Sequence, residues 1–349
     1  MDWHVSCETV IDALMKGNLM QKIPVIDIHC HGAGIGAGNS GCRVSRSMRL
    51  SWKLRSYLKA FGVTAAELER RGDMLVLQRL SERLAASRTV QKAVVFALDG
   101  AVDVAGRLDE TRTELYIPNA FIQKGCRRYA NLLFGASVNP LRRDALERLD
   151  RAAAQGAVLV KWLPSIQGID PACPSLIPFY QRLAALSLPL LSHTGEEHSF
   201  TRADNTLADP QRLRLALEQG VTVIAAHCAS NGRSDGRPNF QRFLALMREF
   251  PNLHGDISAL TQVNRPGHLR RILKHAEYHD RLHYGTDMPL PCTGLTSPWF
   301  QVGRLPLATI RKLAALDNPW DQDLQLKLAL GLPARVLENA HRLLCRTSS

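Results

Sequence analysis

Short apolar runs recur along this chain at nearly constant intervals, each bounded by turn residues and followed by a segment with helical periodicity. They begin near Val25, Lys92, Asn131, Ala157, Leu188, Val221, Asn252 and Leu282, and from the third onward successive starts lie 26 to 33 residues apart. One strand, one helix and two turns fill about 30 residues. Eight parallel strands joined by right-handed crossovers are the number that closes a barrel. The spacing therefore predicts a (β/α)8 barrel, with Arg142 to Ala154, Phe179 to Leu186, Pro210 to Gln219 and Asn239 to Phe250 among its outer helices and Gly156 and Gly220 as helix C-caps. An open doubly wound sheet is the alternative, because strand order does not follow from spacing.

Two regions break the period. Residues 31–90, which include the Gly-rich Gly32 to Gly41, separate the first two strands, and residues 291–349 read as a helical C-terminal segment. In a barrel the first would lie over the mouth. The whole chain, 1–349, is expected to be a single barrel domain.

The charge balance narrows the function classes. Lys and Arg number 44 against 32 Asp and Glu, a net charge of +12, but aromatic residues make up only 6% and most arginines stand singly on amphipathic segments. That composition reads as a solvated basic surface, with no nucleic-acid partner expected. The densest basic stretch, Arg43 to Lys59, alternates with Leu50, Trp52, Leu54 and Leu58 and faces either an anionic substrate or water. No apolar run approaches the roughly 18 residues of a spanning helix, so no membrane association is expected. Asp2, His4 and Glu8 stand where a secretory signal would be basic and then apolar. The 8 cysteines are scattered without a C-x-x-C pair and read as reduced, mostly buried thiols. Both observations point to the cytoplasm.

The chemistry sits at strand ends. The first run closes with His29-Cys30-His31, and alternate residues of an extended chain share a face, so the two imidazoles point together and can chelate one divalent ion. His193 closes the fifth run, His227 the sixth and Asp287 the eighth, each directly before a polar, Gly-containing loop. If each histidine were only a core residue, each would need its own hydrogen-bond partner. Lys161 lies inside the fourth run, Ala157 to Leu163, in a protein with only 10 Lys among its 44 basic residues. Burial lowers an ammonium's pKa and frees an amine as base, nucleophile or carbamate precursor. The structural alternative is an ion pair with Asp27 or Asp287.

These residues carry a resemblance. His29-Cys30-His31, Lys161, His193, His227 and Asp287 at the ends of strands one, four, five, six and eight resemble the amidohydrolase superfamily of metal-dependent barrel enzymes. Val160-Lys161-Trp162-Leu163-Pro164, Leu191 to Gly195, Tyr284 to Pro289 and Leu337 to Ala340 are similar to the amidohydrolase-2 branch. The resemblance implies that His29, His31, His193 and Asp287 are metal ligands and that His227 is a ligand or hydrogen-bonds one. It also implies one or two divalent ions, zinc above all, bridged in binuclear members by a carbamylated lysine at the place of Lys161. The nuclease-like TatD branch usually has Glu there, from which Lys161 departs.

The expected activity is hydrolysis of an amide, lactone or other ester bond of a small molecule, with Asp287 moving a proton and His227 hydrogen-bonding the substrate oxygen. Decarboxylation of a small unsaturated or aromatic acid is the alternative within the fold. A non-catalytic or nucleic-acid-binding protein is the alternative of another class. Arginines from 43–55 or Arg233 converging on the mouth would suit a carboxylate-bearing substrate, and a homo-oligomer is left open. Gly36 to Gly41 matches G-x-G-x-x-G, but it stands too far from the strand end for a dinucleotide turn and reads as a flexible mouth loop. Glu196 and Glu197 are minor candidates for metal or substrate contact. Asp256 and Ser258 are placed near the mouth, and His254 and His283 are read as structural.

Overall fold

The computed structural model describes residues 23–345. Asp2, His4, Cys7 and Glu8 lie outside these residues, as does the side chain of Cys345. The strands are β1 (Ile26–His31), β2 (Lys92–Phe96), β3 (Leu132–Ala136), β4 (Leu159–Trp162), β5 (Leu190–Ser192), β6 (Val223–Ala225), β7 (Leu253–Asp256) and β8 (Leu282–His283). They form one sheet in chain order, every neighbouring pair parallel. Ile28 N donates to Tyr284 O (3.1 Å), His31 N to Met288 O (2.9 Å) and Asp287 N to His29 O (2.8 Å), which joins the eighth strand to the first. The sheet is therefore a (β/α)8 barrel and not an open one. Each strand starts within two residues of the position expected from the spacing.

The outer helices follow from their patterning. Helix Ala145–Ala154 buries Ala145, Leu149 and Ala152, three or four residues apart, and turns Arg148 and Arg151 outward. Gly156 lies just past its end at φ +83°, where a side chain would be strained.

Inside the barrel, Ile26, Ile28, Val94, Phe96, Leu159, Leu191 and Ile224 form an apolar cluster of their own, closed from below by Ala340 and Leu344 of helix Asn339–Cys345. By strand alternation the next inward position after Leu159 is Lys161, and after Leu191 it is His193. Polar residues thus sit on an apolar floor.

Strand β1 breaks alternation to achieve the same result. Its register shifts between Asp27 and Cys30, so Ile28 closes the floor while His29 and His31 both reach the layer above. Asp27 fixes that bulge from outside. Its carboxylate accepts from His29 N (2.9 Å), Thr286 N (3.0 Å), Thr286 Oγ1 (2.6 Å), Cys30 Sγ (2.9 Å) and Trp320 Nε1 (2.8 Å). Asp27 is thereby unavailable to Lys161, which removes one of the two ion pairs that stood as the structural alternative for that lysine, because the bulge turns it away from the barrel axis.

The region between β1 and β2 contains helices Arg46–Leu50, Trp52–Phe61, Ala65–Arg71 and Met74–Ala85. Its Gly-rich start is a tied turn, where the sequence suggested a flexible loop. Ile35 N (3.0 Å), Gly36 N (2.8 Å) and Ser40 Oγ (2.5 Å) all donate to the buried Asp73 carboxylate. A Cβ on Gly34 would meet Asp73 Oδ2 at 2.6 Å, so glycine is what lets the carboxylate approach. After β8 come helices Leu307–Ala314, Pro319–Ala329 and Asn339–Cys345. Of the described cysteines, Cys30, Cys42 and Cys228 are buried thiols and Cys126, Cys173 and Cys292 are half-buried. Among the described residues no helix is long and apolar enough to cross a membrane.

Candidate metal centre

The six residues singled out from sequence, His29, His31, Lys161, His193, His227 and Asp287, all line one cavity of about 380 Å³ at the C-terminal mouth of the barrel. Within it, His29, His227 and Asp287 each present a ligand atom, all within 4.8 Å of one another. The His29 and His227 rings stack with centroids 5.3 Å apart. His29 Nε2 lies 3.5 Å from Asp287 Oδ1, and His227 Nε2 lies 3.7 Å from Asp287 Oδ2.

The far side of each ring settles which nitrogen faces the centre. His29 Nδ1 lies 2.8 Å from Asp256 Oδ2, and an ionised carboxylate only accepts, so Nδ1 carries the proton and Nε2 offers its lone pair inward. His227 Nδ1 lies 3.2 Å from the carbonyl oxygen of Ser258, with the same consequence. Ser258 Oγ stands 3.0 Å from His29 Nδ1 and 2.8 Å from His227 Nδ1. Asp256 Oδ1 accepts from His227 N (2.9 Å) and Ser258 N (3.0 Å). Asp256 and Ser258 at the end of β7 therefore act through the two imidazoles, orienting them from behind.

His227, Cys228 and Ala229 follow β6 at φ +56°, +49° and +48°, and Asp287 stands at φ +63°. Such left-handed conformations cost non-glycine residues about 1–3 kcal/mol each and persist only where contacts over-determine them. Here the Asp256 carboxylate holding His227 N and the bond from Asp287 N to His29 O are two of those contacts.

Lys161 and His31 complete the inner group. Lys161 Nζ lies 2.8 Å from His29 Nε2 and donates to it, and His31 Nε2 lies 3.0 Å from Asp287 Oδ1. His193 sits edge-on to His227, ring centroids 5.3 Å apart; its buried Nε2 has no hydrogen-bond partner and lies 3.6 Å from Glu197 Oε2. Glu196 and Glu197 both line the cavity.

Burial pushes His227 well below its ordinary value, His193 down to about 4, and His31 down as well. All three are neutral near pH 7, the form that binds metal. Burial also lowers Lys161 to about 8. Burial alone would raise Asp287, but His29, His227 and His31 together hold it well below the usual carboxylate range. The centre thus presents inward lone pairs from two imidazoles whose protons are committed elsewhere, the lone pair of His29 being shared with Lys161 Nζ, beside a carboxylate and a third imidazole whose Nε2 has no hydrogen-bond partner. Acceptors facing acceptors in a buried pocket fit a divalent cation.

His254 and His283, read as structural from sequence, pair with each other across β7 and β8, with His254 Nδ1 2.8 Å from His283 Nε2. The expected arginine cluster does not converge on the mouth. Arg43 pairs with Glu110, Arg49 donates to Ile35 O (2.8 Å), Arg46 and Arg55 are exposed, and Arg233 is exposed and donates to Gly236 O (2.5 Å). The helical period turns Arg55 and Lys59 of helix Trp52–Phe61 to solvent and brings Lys53, Leu54, Tyr57, Leu58 and Phe61 to the cavity. Of the basic stretch, Lys53 does reach the cavity wall, its Nζ donating to His198 O (2.7 Å) and Phe200 O (3.2 Å), and sequence reasoning missed a second cation there, the buried Arg265. Its signal was a basic residue in the short loop Thr261 to Gly267 that follows β7, the position where a barrel places mouth residues.

A family model described as amidohydrolase matches residues 26–338. Among solved structures, an uncharacterized TIM-barrel protein from Bordetella bronchiseptica is 18% identical, with 94% of this chain and 100% of that chain covered and a TM-score of 0.59. A putative 2-pyrone-4,6-dicarboxylic acid hydrolase from Pseudomonas putida is 14% identical over 93% of this chain and 98% of its own, with a TM-score of 0.54. The apo form of IDCase from Metarhizium anisopliae is 16% identical over 97% and 99%, with a TM-score of 0.51. At these identities the structures share the fold alone. No curated protein matches the sequence. With the family model spanning nearly the entire barrel, this chain belongs to the amidohydrolase-2 family.

Proposed function

We propose that the protein is a metal-dependent hydrolase that cleaves an amide, lactone or other ester bond of a small molecule. The observation that carries this reading is the convergence of His29 Nε2, His227 Nε2 and the Asp287 carboxylate within 4.8 Å of one another at the base of a cavity of small-molecule size. His29, His227 and Asp287 would hold the ion, with His31, His193 and Lys161, the last as a carbamate, available to a second. Imidazole and carboxylate donors suit zinc. When bound, a divalent ion supplies Lewis acidity, polarising the scissile carbonyl and acidifying water.

The chain's own groups do the rest. Asp287, held ionised by its imidazole neighbours, accepts a proton from the attacking water and returns it to the leaving group. His31, 3.0 Å from Asp287 Oδ1, orients that carboxylate. The apolar walls from Phe96, Leu98 and Leu163 keep competing water out. The free thiols are what a cytoplasmic assignment rests on.

Decarboxylation of a small unsaturated or aromatic acid is the second reading, favoured by the guanidinium of Arg265 in the same wall. The test is an Asp287→Asn variant assayed on a panel of small esters, lactones, amides and carboxylic acids, with metal content measured alongside. Turnover should fall by roughly 10²–10⁴-fold while bound metal is retained. Full activity in that variant would sink the role of Asp287. Carbon dioxide release without a hydrolysis product would select the second reading.

A further inference from the structure

The segment that carries Asp287 is held by side chains as well as by its neighbouring strand. Gly285 O accepts from Lys327 Nζ (2.7 Å), and Thr286 N donates to Asp27 Oδ1 (3.0 Å). These two backbone atoms belong to one peptide group, the planar unit between Gly285 and Thr286. Its carbonyl faces a cation and its N–H an anion, and both Lys327 and Asp27 are fully buried. Turning that plane over would set carbonyl against carboxylate and N–H against ammonium, with both charge-assisted bonds lost. A single helix supports both ends. Lys327 lies on helix Pro319–Ala329, and Trp320 of the same helix donates from Nε1 to Asp27 Oδ2 (2.8 Å).

Lys327 is paired with the buried Asp323 one turn earlier, Nζ to Oδ2 at 2.7 Å, and its ammonium lies 5.0 Å from the centroid of the Tyr284 ring. A buried ion pair contributes little net stability relative to apolar side chains of similar volume, because both charges have left water. Its best-attested use is to select one arrangement over others. Here the arrangement selected is the orientation of a peptide. Asp287 follows one residue later, at φ +63°, with its N donating to His29 O (2.8 Å). A non-glycine residue stays in that region only where its surroundings over-determine it. A fixed plane at 285–286 and a fixed N–H at 287 together set where the Asp287 side chain starts. From there its carboxylate stands 3.0 Å from His31 Nε2, 3.5 Å from His29 Nε2 and 3.7 Å from His227 Nε2.

We propose that Lys327, neutralised by Asp323, is a positioning residue of the metal centre: by holding the Gly285–Thr286 peptide against Asp27, it fixes Asp287 where its carboxylate reaches the ion. Lys327 lies outside the cavity wall and acts only through that peptide. This deepens the reading of Asp287 as a metal ligand and rests on it.

The test replaces the pair as a unit, Asp323→Leu with Lys327→Met, and reads three quantities. The thermal midpoint should change little, since apolar side chains take over the volume of the pair. The zinc affinity of chelator-treated protein, titrated calorimetrically, should fall about 10–100-fold. Deuterium exchange at the Thr286 amide, a readout that needs no metal, should become roughly tenfold faster. Leu149→Ala, in an outer helix, is the control: it should lower the midpoint and leave zinc affinity and Thr286 exchange unchanged. A neutral pair that still forms hydrogen bonds, Asp323→Asn with Lys327→Gln, should keep part of the zinc affinity, and it serves as the test if the apolar pair does not fold. A lysine with a merely structural role would show a lower midpoint with zinc affinity and Thr286 exchange unchanged, and that result overturns the proposal. Faster exchange with undiminished zinc affinity overturns it too, because Asp287 would then not depend on the peptide. If the wild type itself takes up no zinc, the reading of Asp287 as a ligand fails, and the exchange rate still decides whether Lys327 holds the peptide.

Discussion

The amine of Lys161 and the imidazole of His29 meet at 2.8 Å, Nζ to Nε2, with the ring's other nitrogen already bonded to Asp256. The lysine thus occupies the lone pair that a cation would use. Bicarbonate, by supplying the carbon dioxide that converts the amine to a carbamate, should therefore increase metal loading of the wild type as read by elemental analysis. Lys161→Gln should load without any bicarbonate dependence. Identical loading of the wild type with and without bicarbonate would mean that Lys161 remains an amine.

Asp256 holds His29 by its ring, at Nδ1 (2.8 Å), and His227 by its backbone N (2.9 Å). An Asp256→Asn side chain keeps the shape but loses the charge and one acceptor. Metal affinity should fall about 10–100-fold, the range seen when a group supporting a ligand is lost. Titration of the apo protein measures it, with circular dichroism to verify that the fold persists.

Asp27 is a stability residue. Its carboxylate accepts five hydrogen bonds from β1, the segment after β8 and Trp320. Asp27→Ala strands those donors in a dry interior, and we expect a loss of roughly 3–5 kcal/mol or failure to fold. Urea denaturation gives the number. A loss below about 1 kcal/mol would show that the donors find other partners.

His283 should make the protein acid-sensitive. Burial, and then the facing imidazole of His254, push it well below its ordinary value of 6.5, with Asp256 opposing. The folded protein keeps this histidine neutral, so its contribution is complete above pH 6.5 and is lost as the pH falls below it, where the unfolded chain takes up the proton. His193, His227 and His31 act in the same direction. His283→Gln should remove one proton from the uptake and flatten the acid limb by up to about 1.4 kcal/mol per pH unit. Urea midpoints between pH 7.5 and pH 5 would show it, and an unchanged slope would refute the assignment.

Gly285 separates the first strand from the seventh. A Cβ there would stand 3.0 Å from His29 Cβ and 3.2 Å from Ser258 Cβ, both backed by the closed barrel wall. Gly285→Ala should cost about 1–3 kcal/mol in stability by overpacking. Because it wedges His29 apart from the Ser258 hydroxyl behind it, metal affinity should drop in the same variant if His29 holds the ion as proposed. Stability falling with affinity unchanged would show that the strain is absorbed elsewhere.

Much of this was legible in the chain because barrels write themselves in period. A parallel strand buried on both faces is a short apolar run, and the crossover fixes the interval, so all eight strands could be located before the barrel was seen. His29, His31, Lys161, His193, His227 and Asp287 stood out because each chemically active residue interrupts or ends such a run. What did not follow from the sequence lies where local pattern is silent. Asp27 could not be assigned outward without knowing of the bulge, since strict alternation puts it on the same face as His29 and His31. Asp256 and Ser258 have the same polar character whether they line a mouth or brace a ring. Arg265 was passed over for the denser Arg43 to Arg55 stretch, whose charges find solvent, Glu110 or a backbone carbonyl instead. Charge density in sequence measures surface, while a single arginine in a short loop after a strand was the one the fold carried inward.

The apolar cluster beneath the centre, with Ala340 and Leu344 at its foot, fills the barrel below the cavity, so that among the described residues a small molecule would reach the centre from the mouth side. Anything that enters from that side must leave by it. Whichever product lies nearer the mouth has to depart before the deeper one can follow, and a new substrate must wait for both. Traffic through the mouth therefore imposes an order on release, and the residues that frame it influence the pace of the cycle without touching the bond that breaks.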